Sequence, residues 1–271
     1  MSIGCPNLHV LFLSSAKKIA MSFLELLKQN DNAKLPNDDD DGGNQLLLIF
    51  LIEGANGIEF EEVNIQLGKM QHRSPEFAEI NPMRKVPAIM HADFKLFESH
   101  AILVYLASAF PGVADHWYPA DVHKRAKIHS VLDWHHSNLR RGSVEYLFNT
   151  LVAPEFGLPL DQKAADVGEK LLSASLAMIE SYWLEGDGPF LLGNSQPSIA
   201  DLALVCEIMQ LEVADEKDRD RILVGHTRIL KWIEDTKNVT APYFDEIHSV
   251  MPLIKENLAE LKAKQANNEG K

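Results

Sequence analysis

A chain of 271 residues with 46% hydrophobic and 24% charged side chains has the makeup of a globular protein with a sizeable core, in one large domain or two. Its net charge of −13, from 39 acidic against 26 basic residues, repels phosphate backbones and anionic surfaces and argues against nucleic-acid and membrane partners. The two cysteines, Cys5 and Cys206, belong to no CxxC pair, which argues against a disulfide scaffold and against a thiolate metal site.

The apolar run "LHVLFL" near the start is short for the core of a signal peptide, and no basic region precedes it. No stretch approaches the roughly 20 apolar residues of a membrane span, and the last residues, "NNEGK", are not a peroxisomal address. A cytoplasmic location is the expectation. Residues 8–27, "LHVLFLSSAKKIAMSFLELL", read as a strand, two serines (Ser14 and Ser15) and an amphipathic helix. The polar stretch 28–44, with Asp38–Asp41 and a Gly-Gly pair, reads as a flexible acidic loop. A metal-binding acidic cluster is the alternative there, but nothing nearby supplies an ordered scaffold for calcium or magnesium.

From Gln45 the pattern tightens. "QLLLIFLIEGANG" predicts a buried helix stopped by Gly54 or Gly57, and "IEFEEVNI" alternates from Ile58 to Ile65 as a half-buried strand does. Ser74 and Pro75 open a short helix as N-cap and first residue. "VPAIM" and "FKLF" predict two strands about a turn at His91–Asp93, followed by the helix "SHAILVYLASAF". Residues 111–120 carry prolines at both ends and read as an interdomain linker. Beyond them helices are expected near 121–148, 162–184, 198–213, 218–237 and 242–264, so that a mixed α/β unit precedes an all-helical one. Ser198 and Asp201 form a capping box, and Leu202, Val205, Ile208 and Met209 make a core stripe on the helix it starts.

Three features carry chemistry. Val86-Pro87 opens a strand where proline removes a ladder donor. On spacing alone a trans bond is expected there; a cis bond would free the backbone of Val86 to pair with an extended peptide. Glu98-Ser99 stands where strand gives way to helix. Ser99 reads either as the N-cap of a helix starting at His100, or as part of a helix N-terminus that receives a carboxylate, with Glu98 accepting from an ammonium. His72, with Lys85, is a candidate for a second carboxylate, although a lone histidine is commonly a surface residue. His129, Asp133 and His136 share one helical face at spacings that suit a metal, but packing is the commoner use of such residues, and no metal is expected.

Taken in order, "NPMRKVPAI", "LFESHAI" and "GPFLLGNSQPSIADLAL" resemble the glutathione transferases; "GKMQHRSPEFAEINPMRKVPAI" with "SVLDWHHSNLRRG" is most similar to the theta class, in particular its plant members. The resemblance covers the chain from about Gln45 to the end of the helical part. It implies a thioredoxin-like N-terminal domain followed by a helical glutathione-transferase C-terminal domain. The domains are then 45–110 and 121–264, with 1–44 an atypical N-terminal segment, 111–120 the linker and 265–271 a tail. It implies glutathione as co-substrate with no permanently bound cofactor, small hydrophobic electrophiles or hydroperoxides as second substrates, and a homodimer. Carried over, Val86 pairs with the cysteinyl unit, Pro87 is a cis proline, and Glu98 and Ser99 hold the γ-glutamyl head group. His72 and Lys85 lie near the glycyl carboxylate, and Ser137 and Arg140 are secondary contacts. The class stabilises the thiolate with a serine just after its first strand. In this chain that place falls around Gly43-Asn44, so either Ser14 or Ser15 stands in for it, or these serines only cap the helix after them, or the first segment is unrelated sequence and the sheet lacks a part; in the latter cases the protein binds glutathione or a hydrophobic ligand without turnover.

Overall fold

The computed structural model describes residues 8–12, 43–66 and 69–269. Four strands form one mixed sheet in the order β2–β1–β3–β4: β1 Leu8–Phe12, β2 Glu61–Asn64, β3 Ala88–His91 and β4 Phe94–Phe97. β1 runs parallel to β2, with Phe12 opposite Asn64, and antiparallel to β3, with Leu11 opposite Ala88. A parallel pair needs a crossover connection, and α1 (Gly43–Asn56) lies on it. β3 and β4 are joined tightly through Ala92, whose φ is 54°. An inner strand of the sheet therefore comes from within residues 1–44. Ser14, Ser15, the helix read after them and the acidic loop as far as Gly42 lie outside the described residues.

α1 buries Ile49, Leu51 and Ile52 and stops at Gly57, whose φ of 63° is the left-handed conformation expected of a helix end. Gly54 does not end the helix but admits a neighbour. A Cβ there would stand 2.5 Å from the ring of Tyr243, so the glycine lets the two segments approach. Ser74 caps α2 (Pro75–Ala78) as expected, its Oγ accepting from Phe77 N–H at 3.2 Å. α3 (Ser99–Ala109) packs through Ile102, Leu103 and Leu106, all fully buried. The segment after it is pinned rather than loose, with Trp117 buried and His116 Nδ1 2.6 Å from the Pro197 carbonyl.

The helical part comprises, among the described residues, α4 (Val122–His135), α5 (Arg141–Leu147), α6 (Gln162–Met178), α7 (Ile199–Met209), α8 (Glu216–Leu223), α9 (Thr227–Thr240), α10 (Tyr243–His248) and α11 (Met251–Glu269). Two expected helices are each divided. The helix expected over 218–237 breaks at Gly225, where the His226 N–H turns back to the Leu223 carbonyl at 2.9 Å. The one expected over 242–264 breaks before Pro252, which has no N–H for the preceding turn and so sits at the start of α11.

α7 is the centre of this part. Its sequence suggests a one-sided stripe, but every residue from Ile199 to Ile208 is buried, because α1, α3, α4 and α9 pack around it. The capping box forms as read, and Asp201 does more than cap. Its carboxylate accepts from Ser198 N–H at 2.7 Å, Leu191 N–H at 2.9 Å and Trp232 Nε1–H at 2.9 Å. One buried side chain thus ties the start of α7 to α9 and to the loop at Leu191.

α5 and α6 cross at a reciprocal pair of glycines. A Cβ on Gly142 would meet the backbone of Leu172 at 2.5 Å, and one on Gly168 the backbone of Tyr146 at 2.5 Å. Backbone cannot swing aside as a side chain does. Gly142→Ala should therefore lower the unfolding free energy measured in urea by up to about 2 kcal/mol, an overpacking cost of roughly 1–3 kcal/mol set against a helix-propensity gain of about 1.

Candidate functional site

Four chain segments leave the sheet at one end. Phe12 lies opposite Asn64, Leu11 opposite Ala88 and Ala88 opposite Phe97. The exits from β1 and β2, the entry to β3 through Val86-Pro87 and the exit from β4 through Glu98-Ser99 therefore converge. The chain leaving β2 leads to His72, and the one leaving β1 leads to Ser14 and Ser15, two and three residues past Phe12.

The entry to β3 is held by Asn81, which the sequence patterns do not single out. Asn81 is 2% exposed; its Nδ2 donates to the Lys85 carbonyl at 2.7 Å and its Oδ1 accepts from Met83 N–H at 2.9 Å. Arg84, with a φ of 57°, completes the bend by donating its N–H to the Asn81 carbonyl at 2.9 Å. An asparagine ahead of a proline is a turn signal, and it is the one local clue to this bend. The Val86–Pro87 bond is cis, against the expectation from spacing alone. Both residues are buried, and Val86 lies two residues beyond the last ladder pair, Leu11 with Ala88.

The exit from β4 overturns the capping role of Ser99. Ser99 is the first residue of α3, not its cap; Glu98 occupies the cap position and makes no side-chain cap hydrogen bond. Glu98 has φ 70° and ψ 115°, a strained conformation for a residue with a side chain, held by Ile102 N–H donating to its carbonyl at 2.9 Å. The Ser99 hydroxyl is buried, with the residue 1% exposed, and has no hydrogen-bond partner. The Glu98 side chain is exposed.

The remaining candidates divide. His72 is not a surface residue: it is 5% exposed and its Nε2 accepts from Arg73 Nε–H at 3.1 Å. Lys85 is half-buried beside Val86. Arg140 is engaged by Glu207, with Nη1 3.3 Å from Oε2, whereas Ser137 is exposed and accepts from Asn138 Nδ2 at 3.0 Å. His129 pairs with the Tyr118 hydroxyl at 2.9 Å while His136 packs on His100, so these two rings serve different neighbours. Cys206 is buried, and burial together with Glu207 pushes its thiol up, so it is no nucleophile.

Behind α3 lies a buried polar chain that the sequence does not reveal. Glu207, fully buried, accepts from Ser143 Oγ and from Gln210 Nε2 at 2.9 Å, and its Oε2 stands 3.3 Å from both Arg140 Nη1 and His135 Nε2. Burial alone would raise this carboxyl; Arg140, His135 and Ser143 outweigh it and bring it down to about 2. His135 Nδ1 in turn is 3.2 Å from His100 Nε2. A π-type turn at His136–Arg140, directly after His135, interrupts the helix between these partners of Glu207.

Comparison with known proteins agrees with this architecture. The glutathione S-transferase N-terminal domain matches residues 44–108 and the glutathione S-transferase C-terminal domain matches residues 162–235. The chain is 60% identical over 202 residues to glutathione S-transferase T1 of Arabidopsis thaliana, covering 74% of this chain and 82% of that one. The chain belongs to the theta class of the glutathione S-transferase family. It is also 34% identical over 212 residues to mouse (Mus musculus) glutathione S-transferase theta-1, covering 77% of this chain and 85% of that one. The structure superposes on human glutathione transferase theta-2, solved in complex with glutathione and an unknown ligand, with a TM-score of 0.74 and 28% identity over 94% of this chain and 91% of that one. This glutathione S-transferase thus has the thioredoxin-like and helical domains that the sequence motifs imply. Among its described residues no helix is long and apolar enough to cross a membrane.

Two histidines, the half-buried His100 and the buried His248, make a pH dependence. Burial, with His135, His136 and Arg140 around it, holds His100 down to about 2, and burial holds His248 down to about 4. In the unfolded chain both titrate near 6.5, so the unfolded state takes up protons that the folded state refuses. Their contribution is present above about pH 6.5 and is lost as the pH falls, toward about 4 for His248 and about 2 for His100. Glu207 extends the loss to lower pH, while Glu53 and Asp201, raised by burial, act in the opposite sense. A direct comparison isolates one group: His100→Gln should make unfolding free energy, measured in urea from pH 6 to 4, fall less steeply than wild type, by up to about one proton.

Proposed function

We propose that this glutathione S-transferase binds glutathione at the convergent end of its sheet and adds the thiolate to small hydrophobic electrophiles. The observation that carries the reading is the Ser99 hydroxyl, buried without a partner on the first turn of a helix and next to a strained Glu98. A helix N-terminus has free N–H groups and a positive end, and a hydroxyl there completes a receptor for a carboxylate. Glu98 faces the ammonium of the same γ-glutamyl group. Val86, past the end of the ladder, pairs its backbone with the cysteinyl unit as an added strand would. His72 and Lys85 meet the glycyl carboxylate, and Pro87 fixes the bend. Ser137 and Arg140 line the approach from the helical domain.

The chemistry turns on the thiol. A thiol titrating near 8.5 is mostly protonated at neutral pH, and a hydroxyl donating to sulfur favours the thiolate. That thiolate attacks the electrophilic carbon, the leaving group departs with the bonding pair, and a thioether forms. Organic hydroperoxides are proposed as further substrates. Ser14 or Ser15, which follows β1 in the sequence, is the proposed donor. A protein that holds glutathione or a hydrophobic ligand without turnover is the second reading. It is favoured by the start of α1, where Gly43 and Asn44 offer no hydroxyl. A homodimer, a cytoplasmic location and the absence of a permanently bound cofactor complete the proposal.

Ser99→Ala tests the site. Removing an unpartnered hydroxyl leaves the melting temperature unchanged or raises it, whereas losing its bond to a charged ligand weakens glutathione binding by about tenfold or more in calorimetry. Reduced stability with unaltered binding would mean that Ser99 is structural. Turnover of an electrophile that collapses in Ser14→Ala or Ser15→Ala identifies the enzyme; binding with no turnover in the wild type identifies the holder.

A further inference from the structure

His100 is the residue after Ser99, on the first turn of α3, and this turn has no side-chain cap from Glu98. The bond from its Nε2 to His135 Nδ1, at 3.2 Å, is made across domains, since α3 belongs to the α/β part and α4 to the helical part. His135 is buried between that bond and Glu207, which stands 3.3 Å from its other nitrogen. The His100 ring also packs on His136, with centroids 4.3 Å apart. A side-chain anchor therefore reaches the helix start from the other domain, where a local cap is absent.

We propose that Glu207, acting through His135 and His100, positions the first turn of α3 and thereby sets the affinity of the Ser99 site for the γ-glutamyl carboxylate. The helical domain thus tunes a site built by the α/β domain. Glu207 suits this role because it is itself immobilised: Ser143, Gln210 and Arg140 hold the same carboxylate. His100 is uncharged at neutral pH, so it serves as a fixed strut and brings no charge to the ligand. His135, His100 and Glu207 are positioning residues; none is assigned contact with the thiol. The inference rests on the glutathione reading of Ser99.

The test is a series at position 100 in the full chain. Glutamine places an amide nitrogen near the position of the histidine Nε2, asparagine is one methylene too short to reach, and leucine has no polar group. Loss of one hydrogen bond's worth of positioning predicts that His100→Leu and His100→Asn raise the calorimetric Kd for glutathione by about tenfold, with His100→Gln within about threefold of wild type. The KM for glutathione should follow the Kd, while kcat at saturating glutathione and the KM for the electrophile stay within about twofold. Equal effects of Gln, Asn and Leu, or a fall in melting temperature with unchanged glutathione affinity, would overturn the inference alone. Wild-type protein that does not bind glutathione would overturn the site reading and this inference with it. Should His100→Leu fail to fold, the Gln and Asn pair carries the same comparison.

Discussion

Folding removes the Ser99 hydroxyl from water and gives it nothing in return. Such a group costs about 1–3 kcal/mol, a large share of the roughly 5–15 kcal/mol that separates folded from unfolded states. Glu98 adds a second cost beside it, a left-handed backbone without glycine. Two unfavourable features on adjacent residues support the proposed reading, in which the helix start receives a ligand that supplies the missing acceptor or donor. The convergence of strand ends at the same place then has a purpose, since it brings the backbone beside Val86 and the chain leading to His72 to the same end of the sheet.

Holding an unsatisfied site open demands a rigid surround. Asn81 provides it on one side, committing both polar atoms of its side chain to the backbone of Met83 and Lys85. On the other side the helical domain is fixed by Asp201, whose carboxylate joins α7, α9 and the loop at Leu191 within one fully buried cluster. Glu207, six residues further along α7, repeats the arrangement toward α3. α7 thus carries two buried carboxylates that act in different directions. Asp201 closes the helical core, and Glu207 reaches through His135 toward His100 on α3.

Much of this is legible in the residues. The capping pair Ser198 and Asp201, the cap at Ser74, the helix stop at Gly57 and the order of α/β elements follow local rules that tertiary packing does not override. Ser99 shows where local rules fail. A serine ahead of an apolar run is a cap by propensity, but here the helix begins one residue early and the hydroxyl is withheld from the backbone. The stripe on α7 understates its burial because periodicity reports a single buried face, whereas this helix is enclosed by four others. The divisions at Gly225 and Pro252 do have local signals, but a longer apolar pattern running across each of them masks the break. The His100–His135–Glu207 chain cannot be read from sequence at all: its members are separated by up to 107 positions and share no local signal.

His72 and residues 81–107 are proposed to form a receptor for glutathione at one end of the sheet. An amide chemical-shift titration of the 15N-labelled protein with glutathione examines it most directly, because it reports place as well as affinity. Saturable shifts are expected at His72, Lys85, Val86 and the first turn of α3 from Ser99 to Ile102, with the far end of the sheet near His91 and Phe94 unmoved. Shifts scattered over the helical domain with Val86 and Ser99 unaffected, or no shifts at all, would contradict it.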